Sequence, residues 1–189
     1  MTEWWRGAAI YQIYPKSFAD ADGDGVGDIA GIRSRLPYLA DLGVDAIWVS
    51  PWYLSPQRDG GYDVADFRRI DPLFGDVAAV EGLIREAHAL SIRVIADIVP
   101  NHVSDEHPWF RAAIATAPGS PEWSLFHAVR GRGPAGETPP NDWRSVFGGP
   151  AWDPIPDASG SPTGSWFLHL FDSSQPDLNW EHPAVRAEF

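Results

Sequence analysis

A short apolar run at residues 93–99 ends abruptly in polar residues, and this junction constrains the fold more than any other stretch. The run is rich in Val and Ile, which predicts a buried β-strand. Pro100 cannot donate a sheet hydrogen bond, so we expect the strand to finish there. Asp97, Asn101 and His102 then gather at the carboxyl end of the strand, where α/β proteins bind their ligands. A plain turn in which Asn101 caps the loop is the alternative.

Strands and helices alternate through the first hundred residues. Apolar stretches at residues 8–14 and 45–49 predict two further strands. Helical spacing of apolar residues predicts helices over 29–42 and 77–90. Pro37 lies inside the first of these helices and either bends it or marks its true start. The order strand, helix, strand, helix, strand predicts an α/β fold built from parallel βαβ units.

Residues 103–179 differ in character from the segment before them. They are rich in Pro, Gly, Trp and Asp and show little periodicity, although residues 165–171 predict one strand. We interpret this region as an irregular subdomain inserted after the third strand. Residues 181–189 predict the start of a helix.

Composition excludes several classes of function. The formal net charge is -12 at pH 7, which argues against nucleic acid and anionic membranes as partners. No apolar run reaches the ~18 residues of a membrane span, and the first residues do not form a signal-peptide pattern. We therefore expect a cytoplasmic protein. The ten Trp residues serve as core filler or stack on a flat ligand, and the acidity favours a sugar over a nucleobase.

An acidic, glycine-rich loop follows the first strand. Its spacing matches the first nine positions of a calcium-binding loop. The twelfth position is Gly31 and not the Glu of an EF-hand, so we predict a calcium loop outside an EF-hand. A solvated acidic turn is the alternative, although clustered carboxylates favour a bound cation. The predicted ligands are Asp20, Asp22, Asp24, the Val26 carbonyl and Asp28.

The long loop at residues 52–72 contains an aromatic residue and a carboxylate beside two glycines, at residues 60–63. Such a group suits a ligand, because Tyr62 offers a flat face and Asp63 accepts hydrogen bonds from hydroxyls. Taken alone, a turn with a surface Asp is the simpler interpretation.

Together these stretches resemble the α-amylase family of glycoside hydrolases, and most closely its oligo-1,6-glucosidase and α-glucosidase branch. Pro100 and Val103 stand where this branch often has Val and Thr. The matching segments follow the family's order along nearly the whole chain, at residues 11–18, 20–28, 61–63, 97–102, 105–110, 147–152 and 175–179.

The resemblance implies a (β/α)8 TIM barrel with an inserted B domain. Residues 1–102 would form the first three βα units, residues 103–179 the B domain, and residues 180–189 the start of the helix before strand four. A closed barrel needs about 250 residues, so we expect these 189 to be the N-terminal portion of the enzyme.

The resemblance also implies roles for individual residues. Asp63 and His102 would bind sugar hydroxyls, Tyr62 would stack on the sugar ring, and Asp97 would orient neighbouring groups. The acidic loop would hold a structural Ca²⁺. Three residues would close over the pocket from the B domain: Phe147, Phe171 and Gln175.

The implied reaction is retaining hydrolysis of short α-linked glucosides by a monomeric enzyme. It needs a nucleophile and an acid/base carboxylate about 5–5.5 Å apart. In the family both follow later strands, so we expect them after Phe189 and expect this chain alone to be inactive. Sucrose isomerase or trehalose synthase chemistry would use the same residues. A non-catalytic relative, such as the transporter heavy chains of this fold or a sugar-binding fragment, is the other alternative.

Overall fold

The computed structural model describes residues 3–189, so Met1 and Thr2, at the start of the expected barrel segment, lie outside the described residues. The chain forms two compact units. One comprises the residues up to 62 together with 66–98, and the other comprises residues 63–65 and 99–189. The expected divisions at residues 102 and 179 stay predictions.

The first unit is built on a parallel three-stranded sheet in the order β1-β2-β5, which confirms the expected parallel strands. A short antiparallel pair, β3 and β4, occupies part of the expected long loop. The elements are β1 (Ile10–Ile13), α1 (Pro15–Phe18), α2 (Ile29–Ser34), α3 (Leu36–Leu42), β2 (Ala46–Val49), β3 (Tyr53–Leu54), β4 (Asp66–Ile70), α4 (Val77–Ala89) and β5 (Arg93–Ala96).

The core of the first unit lies between this sheet and its helices. Ile13 and Ile47 from the strands, and Ile32, Leu39 and Leu83 from the helices, have no exposed surface. Burying one such side chain stabilises a fold by about 1.5–3 kcal/mol. The apolar spacing that predicted the helices therefore marks the faces that they bury.

The first predicted helix is two helices. The break falls at Arg35, so that Pro37 stands in the first turn of α3, where its missing N–H leaves no hydrogen bond unmade. α3 ends at Gly43, which has a left-handed φ of 82°, as expected of a C-terminal glycine. The second predicted helix, α4, ends at Ala89, one residue earlier than expected.

The third strand ends earlier than Pro100, so this part of the sequence prediction was wrong. β5 stops at Ala96, which pairs with Val49, the last residue of β2. One further backbone hydrogen bond joins the Asp97 N–H to the Val49 carbonyl. The ladder ends because the partner strand ends: Pro51 has no N–H to continue it.

The second unit contains an antiparallel three-stranded sheet in the order β6-β8-β7. The strand expected over residues 165–171 runs over 162–168 instead. After Leu168 the strand ends because the Leu170 N–H donates to the Asp177 side chain. The elements are α5 (Pro108–Ile114), β6 (Ala128–Arg130), β7 (Trp152–Pro156), β8 (Pro162–Leu168) and α6 (Pro183–Glu188).

An aromatic cluster forms much of the core of the second unit. The ring of Phe110 meets those of Trp123, Phe126 and Phe167 edge-on, with centroids 5.2–5.7 Å apart. All four side chains are buried.

Within residues 3–189, none of the helices is long and apolar enough to cross a membrane.

Gly31 in α2 is expected to be intolerant of any side chain. A Cβ at this position would lie 1.9 Å from the Ala19 carbonyl oxygen, which is backbone and cannot swing away. We predict that Gly31→Ala lowers the free energy of unfolding by about 1–3 kcal/mol, because the clash exceeds the gain in helix propensity.

Denaturant unfolding of the intact protein measures this change. Gly7→Ala is the matched control, since a Cβ there meets no atom within 4 Å. Equal stability of the two variants would contradict the predicted clash.

Candidate functional site

Asp97 directly follows β5 and accepts two side-chain hydrogen bonds on one carboxylate oxygen. The Trp48 indole N–H and the Tyr62 hydroxyl each lie 3.1 Å from Asp97 Oδ2. Trp48 belongs to β2, which pairs with β5, so the parallel register brings the side chains of Trp48 and Asp97 to one edge of the sheet. The structure thus joins two of the predicted site residues, Tyr62 and Asp97, within the first unit.

The Tyr62 hydroxyl is the hydrogen-bond donor in its contact with Asp97. Burial raises the pKa of Tyr62, and the negative charge of Asp97 raises it further. Burial and the same charge also raise the pKa of Tyr53 in β3. Both tyrosine hydroxyls therefore stay protonated at neutral pH. The hydrogen bonds from Trp48 and Tyr62 hold the Asp97 carboxylate in one orientation. Its expected role, to orient neighbouring groups, stays a prediction.

Two glycines shape the loop that ends at Tyr62. Gly60 and Gly61 have φ values of 60° and 100°, in the left-handed region that favours glycine. A Cβ on Gly61 would lie 2.8 Å from the Pro51 carbonyl oxygen, so a larger residue would push the loop away. The glycine pair of the sequence is therefore a steric requirement of this turn.

Asp63 and His102 are buried polar residues of the second unit, with 0% and 3% of their surface exposed. The His102 Nδ1 lies 2.9 Å from the Asn101 side-chain oxygen. Because an amide oxygen only accepts hydrogen bonds, Nδ1 is the donor in this contact. Buried groups of this kind suit hydroxyl recognition, which stays a prediction for both residues.

An aromatic wall, defined here as Phe147 and Phe171, stands beside His102. The Phe171 ring lies 5.1 Å from the imidazole and 5.9 Å from the Phe147 ring, between centroids. Both phenylalanines line a cavity of about 300 Å³ together with Ser145, Gly148, Pro150, Asp153, His169, Asp172 and Ser173. The structure therefore brings three of the predicted substrate-binding residues together.

Gln175 is fully buried and closes the turn that follows Phe171. Its side-chain oxygen accepts from the Asp172 N–H at 2.9 Å, and its own N–H donates to the Asp172 carbonyl at 2.9 Å. Part of its hydrogen-bonding capacity thus serves the backbone. Its predicted contact with substrate stays a prediction.

Asp177 is a buried carboxyl that the sequence analysis included in a matching segment without assigning it a role. Burial raises its pKa to about 6, against the opposing effect of hydrogen bonds from the Leu170 N–H and the Asn101 side chain. The backbone of Asp177 forms an isolated antiparallel β-bridge with that of His102. The sequence offers no signal for this burial beyond the position of Asp177 in a segment that matches the family.

The acidic loop brings three of its predicted ligands together. Carboxylate oxygens of Asp20, Asp22 and Asp28 lie within 4.8 Å of one another. Asp24 is outside this group, and its Oδ1 accepts from the Val26 N–H at 2.7 Å. Hydrogen bonds from the N–H groups of glycines 25 and 23 lower the pKa of Asp20. Three carboxylate oxygens, two of them on exposed residues, are donors of the kind that Ca²⁺ binds.

Asp177 is predicted to make stability fall as the pH rises from about 4 to 6. Its pKa is about 6 in the folded protein against a normal value of 3.8, so the folded state binds the proton more tightly. The carboxyl therefore destabilises the fold increasingly across this interval, by up to about 3 kcal/mol.

Melting temperatures of the intact protein at pH 4 to 7 test this. Relative to wild type, Asp177→Asn should gain stability as the pH rises, whereas Asp142→Asn, at an exposed position of the same unit, should run parallel to wild type. A constant offset between Asp177→Asn and wild type would show that the carboxyl does not titrate in this range.

Comparisons with known proteins agree with the resemblance seen in the sequence. Residues 12–189 match the family described as alpha amylase, catalytic domain. An oligo-1,6-glucosidase of Heyndrickxia coagulans is 48% identical over 188 residues, covering 100% of this chain and 32% of that protein.

Two solved structures are also similar. An α-glucosyl transfer enzyme superposes with a TM-score of 0.90 at 44% identity, covering 100% of this chain and 34% of the other. A trehalose-6-phosphate hydrolase of Bacillus licheniformis gives a TM-score of 0.88 at 43% identity, covering 99% and 32%.

The chain spans about a third of the length of these relatives. Its three parallel strands match the N-terminal region of their TIM barrels, which confirms the expected fold class. The chain belongs to the α-amylase family of glycoside hydrolases.

Proposed function

We propose that this chain supplies the sugar-recognition residues of an α-glucosidase that hydrolyses short α-linked glucosides. The observation that carries the proposal is the contact between His102 and Phe171, 5.1 Å between ring centroids, in a chain of the α-amylase family. A buried imidazole beside an aromatic ring combines an acceptor for hydroxyls with an apolar face for a sugar ring.

Hydroxyl recognition follows from burial. A carboxylate such as Asp63 accepts hydrogen bonds from two sugar hydroxyls, and a ligand that lacks these hydroxyls loses both contacts. The His102 imidazole forms a hydrogen bond with one further hydroxyl. In the first unit, Tyr62 presents a ring while its hydroxyl is held by Asp97. Asp63 and His102 of the second unit bind and orient the glucose unit whose bond is cleaved.

The cleavage step itself requires two further carboxylates. Retaining hydrolysis passes through an oxocarbenium-like transition state and a covalent glycosyl intermediate. We assign neither the nucleophile nor the acid/base to a residue of this chain. The contribution of the acidic residues here is electrostatic, since a negative environment favours the positive charge that develops on the sugar.

Glucosyl transfer is the second candidate, and the similarity to a solved α-glucosyl transfer enzyme favours it. Hydrolysis and transfer differ in whether water or a sugar hydroxyl takes the glucosyl group. Product analysis with sucrose and maltose separates them: monosaccharides without any new oligosaccharide indicate hydrolysis, and isomers or longer oligosaccharides indicate isomerisation or transfer.

We predict that the intact protein releases glucose from maltose or isomaltose and that Asp63→Asn lowers kcat/KM by about a hundredfold. Two hydrogen bonds to a charged group are each worth about 1.5–3 kcal/mol, and the substitution weakens both. Steady-state kinetics with each disaccharide measures the effect. Asp142→Asn, at an exposed position, should keep wild-type kinetics. Unchanged kinetics of Asp63→Asn would refute the assigned role.

We further propose that Asp20, Asp22 and Asp28 hold a structural Ca²⁺. Asp28 is also the N-cap of α2, where its Oδ1 accepts from the Gly31 N–H at 2.6 Å. A cation shared by these carboxylates would therefore tie the loop to the first turn of the helix. It would stabilise the folded state without taking part in the reaction.

Calcium is accordingly predicted to raise the melting temperature of chelator-treated protein. A ligand at a hundred times its Kd adds about 2.7 kcal/mol of stability. Thermal scans with and without CaCl2 measure the shift, which Asp22→Asn should reduce. Asp41→Asn, at an exposed position of α3, should leave it unchanged. The absence of any shift in wild type would eliminate the site.

A cytoplasmic location and a monomeric state are also proposed. The net charge of -12 supports the monomeric state, because copies of the chain repel one another. Cell fractionation and light scattering of the intact protein test these two points.

A further inference from the structure

The hydroxyl of Ser145 joins two segments of the second unit that are far apart in sequence. Ser145 is 8% exposed, and its Oγ–H donates to the Phe171 carbonyl at 2.6 Å. The same oxygen accepts from the Phe147 N–H at 3.1 Å. One hydroxyl group therefore contacts the backbone of both members of the aromatic wall.

The Phe171 carbonyl has a second donor. Nδ1 of His169, the residue after β8, lies 3.2 Å from the same oxygen. A carbonyl oxygen accepts two hydrogen bonds, so both of its positions are filled when Nδ1 carries the proton. The peptide that follows Phe171 is thus fixed from two directions, by Ser145 and by His169.

Packing within residues 3–189 leaves the Phe147 ring largely uncovered, with 59% of its surface exposed. Its ring contacts the Phe171 ring edge-on at 5.9 Å, and this contact depends on how the two backbones are placed. A backbone hydrogen bond from the Val146 N–H to the Leu170 carbonyl, at 2.8 Å, joins the two segments one residue before each ring. The hydroxyl of Ser145 adds the side-chain link, and it contacts the two phenylalanines themselves.

We propose that Ser145 is a positioning residue that sets the geometry of the aromatic wall beside His102 and thereby the affinity for the glucoside. Ser145 acts through Phe147 and Phe171. The link to substrate affinity rests on the proposed function, whereas the link to ring geometry does not.

Three variants of the intact protein test the proposal. Ser145→Ala removes both hydrogen bonds with little change in volume, and Ser145→Thr keeps the hydroxyl. Thr163→Val is the matched control, because the Thr163 hydroxyl has the same pattern: it donates to the Ile155 carbonyl at 2.8 Å and accepts from the Ser165 N–H at 3.3 Å. The two partners of the Thr163 hydroxyl, Ile155 and Ser165, are not residues of the aromatic wall.

Steady-state kinetics with maltose or isomaltose is the first readout. Ser145→Ala should raise KM about tenfold with kcat within about twofold of wild type, since the wall contributes binding that ground state and transition state share. Ser145→Thr should restore KM, and Thr163→Val should leave it unchanged. An unchanged KM in Ser145→Ala, or the same rise in Thr163→Val, would overturn the link to affinity.

Crystal structures of the wild-type and Ser145→Ala proteins give a readout that is independent of activity. We expect the centroids of the Phe147 and Phe171 rings to move from their 5.9 Å contact in the variant. Rings that stay in place would overturn the positioning role. If the wild-type protein hydrolysed no α-glucoside, the proposed function would fail, and the ring positions alone would decide the role of Ser145.

Discussion

The pairing of β2 with β5 is the constraint on which the organisation of the first unit depends. Its register places Val49 opposite Ala96, and the Asp97 N–H makes the last hydrogen bond of the ladder. The strands end where Pro51 leaves the partner without a donor. Asp97 therefore emerges at the strand end, within reach of the Trp48 indole. The register of the two strands thus determines the hydrogen bond between the side chains of Trp48 and Asp97.

The second unit is organised by a different kind of interaction. Outside its three-stranded sheet, side chains form hydrogen bonds with the backbone groups that a sheet ladder would otherwise pair. Asp177 accepts from the Leu170 N–H, Gln175 from the Asp172 N–H, and Ser145 contacts the backbone on both sides of the cavity. A region rich in Pro and Gly has few regular ladders, so its buried backbone groups need such partners. The residues that define the candidate site are therefore also the residues that hold its loops.

This difference explains what the sequence could predict. Periodicity identified the parallel strands and α4, and glycine chemistry identified the end of α3 at Gly43. Local patterns could not place the end of β5, because that end depends on the length of its partner strand. They also could not distinguish Asp24 from the carboxylates that converge, since all four lie in the same acidic, glycine-rich loop and only the folded backbone separates them.

Long-range side-chain contacts were the least accessible part of the site. Phe147, Phe171 and His102 were identified through the family resemblance, and no spacing rule relates them. Ser145 carries no signal of its own, because a serine beside Gly-rich loops is common. Its role depends on a partner 26 residues away. Contacts of this kind follow from the fold and cannot be obtained from composition or periodicity.

The buried polar groups of the second unit require a compensating source of stability. Asp177 alone costs up to about 3 kcal/mol when ionised, as judged from its raised pKa. Burying a Phe side chain of the cluster around Phe110 is worth about 1.5–3 kcal/mol. The three phenylalanines of the cluster together outweigh the carboxyl. The aromatic cluster therefore allows the unit to keep a carboxyl, an imidazole and a serine hydroxyl buried where recognition of a polar ligand needs them.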